Sequence, residues 1–315
     1  MSDGSTTLRT ILTQKKPPIT CNLNVAANTK SQYWPDIQAS LWHGFDLNSL
    51  NNKYADMLDE PVQEETVATS PRASQMLTGL IIDQTKDVRY LLGWNKALMG
   101  FAVNLVKSKF SHADGFTIIH VCTDANEAAA LRVGERFHVD HLIALDKIPS
   151  QALVVGLGKS SAIISLKKFV CNGQLVLSNK RHYWVLRQLA NVCKAARTPY
   201  GYIQTDTELI VCRFRTKLEP NLYSVNAMPV PWSSHGPKVL TTDLALWWLC
   251  TKALSPPDDI PTEGTAASGS RMTPIPENSF QPQETNDRVY YDVSTNADWQ
   301  NYSFDDLGLA EHPGP

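Results

Sequence analysis

Two apolar runs separated by a short polar segment constrain the fold more than any other feature of this sequence. The runs RFHVDHLIAL and ALVVGLGK flank the segment DKIPSQ, which carries a proline between polar neighbours. Runs rich in Val, Ile and Leu around such a segment predict two antiparallel strands joined by a turn. Centring the turn on the bond before Pro149 places Asp140 opposite Leu157 and puts Lys159 on the same sheet face. The sequence therefore predicts that an acid and an amine meet at the end of a β-hairpin.

The segments around this hairpin indicate a mixed α/β domain over residues 86–254. Apolar residues at spacings of three and four from Leu91 to Val106 predict a helix, and FTIIHVC predicts a strand before the hairpin. After the hairpin, HYWVLRQLANVCKAA predicts a second helix, and two strands follow at residues 200–204 and 209–214. The run LTTDLALWWLCTKAL is apolar on nearly all sides, which predicts a buried closing helix. Helices and strands that gather around one sheet give an α/β fold.

The two ends of the chain differ from this domain in composition and in sequence pattern. Residues 1–85 show little periodic pattern, and we expect a loosely ordered N-terminal arm there. Residues 255–315 carry 11 Asp and Glu against two Arg, a formal charge of −9, whereas the rest of the chain carries +7. Because Pro, Ser, Thr, Gly and acids dominate this segment, it buries too little apolar surface to order itself, and we expect a disordered acidic tail.

The acidic tail also contains apolar side chains between its acids, which is typical of segments that bind a partner groove. Its candidate anchors for a protein partner are Trp299, Tyr302, Phe304 and Leu307. An ordinary solvating tail is the alternative interpretation.

Targeting and cysteine patterns favour an intracellular protein, nuclear or cytoplasmic. The opening lacks a basic start followed by an apolar core and a cleavage site, so we expect no secretory signal. The longest apolar stretch, at residues 244–254, contains Lys252 and is too short to span a bilayer, so no membrane partner is expected. The six cysteines stand singly, without a CxxC pair, which is typical of reduced core residues. No pattern predicts an oligomeric state.

An acid opposite an X-Lys pair on the neighbouring strand is the skeleton of a metal-dependent phosphodiesterase site. In such a site two carboxylates hold Mg²⁺, the ion polarises the phosphate and lowers the pKa of a water, and the lysine stabilises charge. Asp140 and Lys159 fit this skeleton.

Other interpretations of these residues stay open. The string GLGKSS after a strand resembles part of a phosphate-binding P-loop, but Leu153 stands where that motif needs glycine. His138 and His141 suggest a metal pair, yet strand alternation places them on opposite faces. For Asp140 the alternative is an ordinary strand-end residue, and for Lys159 it is a solvated lysine.

The domain is similar to the PD-(D/E)XK nuclease superfamily of restriction-endonuclease-like, RecB-type proteins, and more narrowly to a group of filamentous-fungal proteins with that fold. The similarity rests on VDHLIAL, VVGLGK, RQLANVCKAARTPYGYIQTDTELIVCRF and VPWSSHGPKVLTTDLALWWLC. It covers residues 86–254 and implies an αβββαβ core around a mixed central sheet. By this resemblance Asp140 occupies the place of the metal-binding aspartate and Lys159 that of the motif lysine, whereas Leu157 stands where the pattern has a second acid. Because a leucine donates nothing to a metal, the resemblance implies weak metal binding at Asp140 and no cleavage, unless an acid has moved in from elsewhere.

The resemblance also implies a glutamine motif and a further acid. Gln188 stands in the place of the first residue of the RecB-type Q-x-x-x-Y motif, but Val192 replaces its tyrosine. Glu127 and Glu135 are the nearest candidates for a further metal-binding acid, and neither is well placed. With half of the signature lost, Asp140, Lys159 and Gln188 are expected to be a vestigial catalytic set.

Basic residues around the second helix form a candidate nucleic-acid-binding face. The residues concerned are Lys167, Lys168, Lys180, Arg181, Arg187 and Lys194. A solvated face is the alternative. We expect a degenerate nuclease-like protein without a cofactor that binds nucleic acid or a protein partner. Its rivals are an active Mg²⁺-dependent nuclease with a relocated carboxylate and a protein-interaction scaffold.

Overall fold

The computed structural model describes residues 6–23, 30–122, 131–133, 137–166, 170–171, 174–175, 180–216 and 221–255. Several predictions fall outside these residues. They concern the acidic tail beyond Ser255 and the residues Glu127, Glu135, Lys167 and Lys168.

The described residues form seven α-helices and thirteen strands. The helices are α1 (Leu8–Leu12), α2 (Leu47–Asp59), α3 (Glu64–Ala68), α4 (Ala73–Met76), α5 (Arg89–Val106), α6 (Lys180–Ala196) and α7 (Thr242–Leu254). The first strands are β1 (Thr20–Cys21), β2 (Asp36–Leu41), β3 (Ile81–Ile82), β4 (Ile118–Cys122), β5 (Leu131–Val133), β6 (Phe137–Val139) and β7 (His141–Leu145). The others are β8 (Gln151–Gly158), β9 (Val170–Cys171), β10 (Gln174–Leu175), β11 (Tyr200–Gln204), β12 (Glu208–Thr216) and β13 (Leu222–Pro231).

One seven-stranded mixed sheet organises the body, in the order β2-β13-β12-β11-β8-β7-β4. The strands β4, β7 and β8 are antiparallel neighbours, and β8 runs parallel to β11. At the other side, β11, β12 and β13 are antiparallel, and β2 joins β13 in parallel. The elements α5, β4, β7, β8, α6 and β11 occur in this order along the chain, and the strand pairs β5-β6 and β9-β10, which lie between them in sequence, form separate two-stranded sheets. The predicted mixed α/β class is confirmed.

Apolar layers cover both faces of this sheet. On one face α5 and α7 bury large side chains such as Trp94, Leu98 and Trp247. On the other face α6 packs Val185 and Leu189 against the sheet. The apolar run of the last helix is buried almost all round, which confirms the prediction of a buried closing helix.

The described part of residues 1–85 packs against the body. Strand β2 lies at the edge of the main sheet, and α2 buries Leu50, Tyr54 and Leu58 in the same core as α5 and α7. This differs from the loosely ordered arm that the sequence predicts. The apolar residues here are spread over several short elements, so no long periodic run marks them in the sequence.

The hairpin formed by β7 and β8 has the register that the sequence predicts near its open end. His141 pairs with Gly156 and Leu142 with Val155, and a bulge after Ile143 shifts the pairing only towards the turn. The backbone N–H of Asp140 donates to the carbonyl of Gly156 at 3.1 Å, so the ladder continues to the predicted acid.

Two further observations concern the rest of the described chain. Among the described residues, no helix combines the length and apolar character needed to cross a membrane. None of the cysteines whose side chains are described forms a disulfide, and they are Cys21, Cys122, Cys193, Cys212 and Cys250.

Candidate functional site

Asp140 lies at the bend between β6 and β7, at the sheet edge where β8 ends. Its Oδ2 accepts a hydrogen bond from the backbone N–H of Gly158 at 2.9 Å. Its Oδ1 lies 3.9 Å from Nε of Arg89, the first residue of α5. The carboxylate is therefore held by a backbone donor on one side and a guanidinium on the other.

Lys159 follows β8 directly and lies in the electrostatic field of Asp140. Burial lowers the pKa of the Lys159 amine, and the charge of Asp140 opposes part of that effect. Its backbone N–H donates to the carbonyl of Gln204 at 2.9 Å, which fixes the end of β8 against the end of β11. Within the described chain no carboxylate lies within 4.0 Å of the Lys159 amine. The structure thus brings the predicted acid and amine together at one edge, without a direct ion pair.

The place of the second carboxylate holds an apolar side chain. Leu157 is only 1 % exposed and packs in the apolar layer beneath α6. Within the described ranges, no group of three or more His, Cys, Asp or Glu side chains is arranged to hold a metal ion. Because Mg²⁺ prefers several oxygen ligands, Asp140 beside Leu157 does not fit a resident magnesium ion.

Two other acids lie close to this edge, and both already accept hydrogen bonds. Asp206 follows β11, and its carboxylate accepts bonds from the N–H of Ser161 at 2.7 Å and from its hydroxyl at 2.6 Å. Glu208 is fully buried and accepts a bond from the N–H of Leu166 at 2.6 Å. These acids anchor the segment that follows Lys159, since they satisfy its backbone and hydroxyl donors.

That segment also bears on the P-loop alternative. A phosphate-binding P-loop passes from a strand through a glycine-rich loop into a helix. Residues 159–166 contain only a turn, and no helix occurs within this described stretch. The GLGKSS string therefore lacks the backbone of a P-loop.

Gln188 and the basic candidates lie in different surroundings. Gln188 is on α6, which packs on β8 and β11, and its Oε1 is buried without a hydrogen-bond partner in the described chain. Lys194 is exposed near the end of the same helix. Lys180 and Arg181 begin that helix.

Arg187 is not a free surface cation. Its Nε donates to the carbonyl of Pro35 at 2.9 Å, and its guanidinium lies 3.3 Å from Asp36 and over the ring of Trp184. The basic residues predicted to form one nucleic-acid-binding face therefore differ in their contacts, because Arg187 holds the start of β2 against α6.

A buried polar cluster that the sequence analysis did not identify adjoins Asp140. Tyr202 of β11 lies across β8 at Gly156, and its hydroxyl hydrogen-bonds to Nδ1 of His141 at 2.5 Å. Burial places the pKa of His141 well below its usual value, and the nearby His120 and Lys96 add to the shift. Burial therefore favours the neutral form of the His141 imidazole.

The other end of this cluster reaches the segment beside Lys159. Asn95 of α5 lies beside Tyr202 and donates to Oε1 of Gln204 at 3.0 Å. The carbonyl of Gln204 in turn accepts from Lys159. The only sequence signal for this cluster is a set of polar residues within otherwise apolar runs, which marks burial but not the partners.

No family model, curated protein or solved structure matches this chain. The interpretation of the site therefore depends on its own geometry.

Proposed function

We propose that this chain is a degenerate PD-(D/E)XK nuclease-like protein that binds nucleic acid without hydrolysing it. The observation that carries the proposal is the edge where Asp140 and Lys159 meet while Leu157 fills the second acidic place. The order α5, β4, β7, β8, α6 and β11 supports it, because it is the αβββαβ order that the family resemblance implies. The mixed pairing of those strands supports it too.

Lys159 is the residue best suited to meet a phosphate. Its amine is largely removed from water and has no carboxylate within hydrogen-bonding distance in the described chain. A phosphate oxygen would supply that counter-charge, and hydrogen bonds between charged groups are stronger than those between neutral groups. Arg89, held beside Asp140, adds a second positive charge at the same edge.

The same geometry argues against cleavage. Hydrolysis of a phosphodiester in such a site needs a metal held by at least two carboxylates, which activates a water. Here Asp140 accepts from Gly158 and faces a guanidinium, and Leu157 offers no ligand. Binding is therefore the activity that these residues support.

Oligonucleotide binding by fluorescence anisotropy tests the proposal. Lys159→Met keeps most of the aliphatic volume and removes the charge, so it should weaken binding about tenfold. Lys238→Ala removes a charge from an exposed lysine elsewhere and is the matched control, which should bind like the wild type. Wild-type affinity should also fall steeply as salt rises. Absence of binding at low salt would contradict the proposal and favour a protein-interaction scaffold.

A second candidate is an active Mg²⁺-dependent nuclease with a relocated carboxylate. The observation that favours it is the position of Asp206, which binds Ser161 only two residues after Lys159. Incubating plasmid and single-stranded DNA with Mg²⁺ or Mn²⁺ separates the two candidates. Cleavage that Asp206→Asn and Lys159→Met both abolish would establish the nuclease, and intact DNA would favour the binding function.

A further inference from the structure

Helix α6 carries a stripe of basic and aromatic residues along one side. The positions recur at spacings of three and four, and they are Trp184, Arg187, Asn191 and Lys194. Residues with this spacing share one face of a helix, and at 1.5 Å per residue the stripe is about 15 Å long. Helix α6 contains no Asp or Glu, so no acid on the helix offsets its positive charge.

The stripe borders a shallow groove between α6 and the start of β2. The groove has a volume of about 250 Å³ and is lined by Asp36, Ile37, Tyr183, Trp184 and Arg187. Both aromatic side chains are partly exposed. Val185 and Leu189 of α6 pack in the core beneath the helix, and Tyr183 contacts that core with part of its side chain, whereas Trp184 is not one of its members. Trp184 is therefore the aromatic residue of the groove that does not serve the core.

The walls of this groove are fixed before any ligand binds. Arg187 donates to the carbonyls of Trp34 and Pro35, at 2.5 Å and 2.9 Å, and thereby ties the segment before β2 to α6. Its guanidinium lies 4.5 Å from the centre of the Trp184 ring. Trp34 meets Trp184 edge to face, with ring centres 6.2 Å apart. A preorganised aromatic wall costs little conformational entropy on binding.

The charges around the groove indicate which class of ligand its aromatic side chains would bind. Aromatic walls bind either a cation or a flat ring. Arg187 already occupies the cation position over Trp184, and the other basic residues of α6 would repel a second cation. The ion pair with Arg187, at 3.3 Å, offsets the negative charge of Asp36 at the rim. A flat ring attached to an anion is the ligand that remains.

We propose that this groove binds an unpaired nucleobase of a single-stranded nucleic acid, whose phosphates follow the basic stripe of α6. The inference rests on the proposed function, since both require nucleic acid, but it names a surface distinct from the Asp140 edge. Tyr183 and Trp184 would stack on the base, and the exposed Lys194 would meet the backbone. Stacking on aromatic side chains is tolerant of sequence, so the groove should not select one base strongly.

Comparison of two single-stranded ligands tests this inference. One is a short labelled oligonucleotide with bases, and the other is an abasic backbone of the same length and charge. Wild-type protein should bind the first about tenfold more tightly at the same salt concentration. Trp184→Leu should remove that difference, whereas Trp184→Phe, which keeps a ring, should retain most of it. Tyr90→Leu on α5, which changes an aromatic residue that is 45 % exposed, is the control and should leave it unchanged.

Each outcome has one meaning. If both ligands bind equally and binding still depends on Lys159, the groove proposal is overturned and the proposed function stands. If neither ligand binds, both are overturned. If Trp184→Leu fails to fold, as judged by circular dichroism, Tyr183→Leu takes its place, and a preserved base preference in that variant overturns the groove. Tight binding of a methylated lysine peptide that abolishes oligonucleotide binding would also overturn it.

Discussion

Replacing Gly156 with alanine tests a tightly constrained contact of the sheet. Tyr202 lies across β8 at this glycine and reaches His141 on β7. A methyl group at Gly156 would lie 2.6 Å from Cε1 and 2.7 Å from the hydroxyl oxygen of Tyr202, closer than atoms in contact approach. Tyr202 is 0 % exposed, so its ring has no solvent-filled space to move into.

The cost of this substitution follows from two effects. Overpacking of a core costs about 1–3 kcal/mol. Moving the ring also breaks the bond between Tyr202 and His141 and leaves two buried polar groups unpaired, which costs about 1–3 kcal/mol more. We therefore expect Gly156→Ala to lower the free energy of unfolding by about 4 kcal/mol in urea denaturation.

Gly93 provides a matched control, because the same substitution there should raise the free energy of unfolding instead of lowering it. It lies within α5, and a methyl group there would meet no atom within 4 Å. Because alanine favours a helix over glycine, Gly93→Ala should raise the free energy of unfolding by about 0.5–1 kcal/mol. A Gly156→Ala variant as stable as the wild type would refute the reasoning. So would an equal cost in a Tyr202→Leu background, where the clash is removed.

Three further predictions concern buried groups. Burial and the charge of Lys96 lower the pKa of His120 to about 4. Below the usual pKa of about 6.5 the unfolded chain binds a proton that the folded chain does not. Titration of His120 alone should therefore lower the free energy of unfolding in urea by about 2 kcal/mol from pH 7 to pH 5. Because burial lowers the pKa of His141 as well, the loss in the wild type should be larger, and His120→Asn should remove only the part that His120 contributes. Lys16 and Asp243 form an ion pair at 3.0 Å, and both side chains are 1 % exposed. Asp243→Ala should therefore lower the free energy of unfolding by about 3–5 kcal/mol, because it leaves the Lys16 charge buried and unpaired. Adding Lys16→Met to that variant should recover part of the loss, as measured by thermal or urea unfolding. Leu157→Asp should lower the melting temperature, because it places a carboxylate in the core. Mn²⁺ should restore part of that loss in Leu157→Asp, since the new aspartate supplies a second carboxylate ligand. In the control variant Leu157→Asn, Mn²⁺ should not raise the melting temperature.

The hairpin could be predicted in detail because its signals are local. Strand alternation and the position of the turn determine which residues pair, and these gave the pairing of His141 with Gly156 and the meeting of Asp140 with Lys159. The bulge near the turn did not alter that end of the hairpin. The continuous apolar pattern of the last helix predicted its burial for a similar reason.

Other features depend on contacts between distant parts of the chain, which no local pattern records. Strand β2 joins the sheet edge beside β13, more than 180 residues later. The partners of Arg187 lie about 150 residues earlier, at Trp34 and Pro35, so its sequence position suggested a free cation. The spacing of Trp184 and Arg187 predicts that they share a helix face. That this face borders a groove follows only from the position of β2 beside α6.

A binding titration with product analysis of the same samples tests the central claim most directly. Labelled oligonucleotide is titrated with wild-type protein in Mg²⁺ and in a chelator at matched ionic strength, and the nucleic acid is then analysed for length. We expect the same affinity in both conditions and full-length oligonucleotide throughout, because Asp140 lacks a second carboxylate partner. Shortened products in Mg²⁺, or binding only when Mg²⁺ is present, would contradict the account.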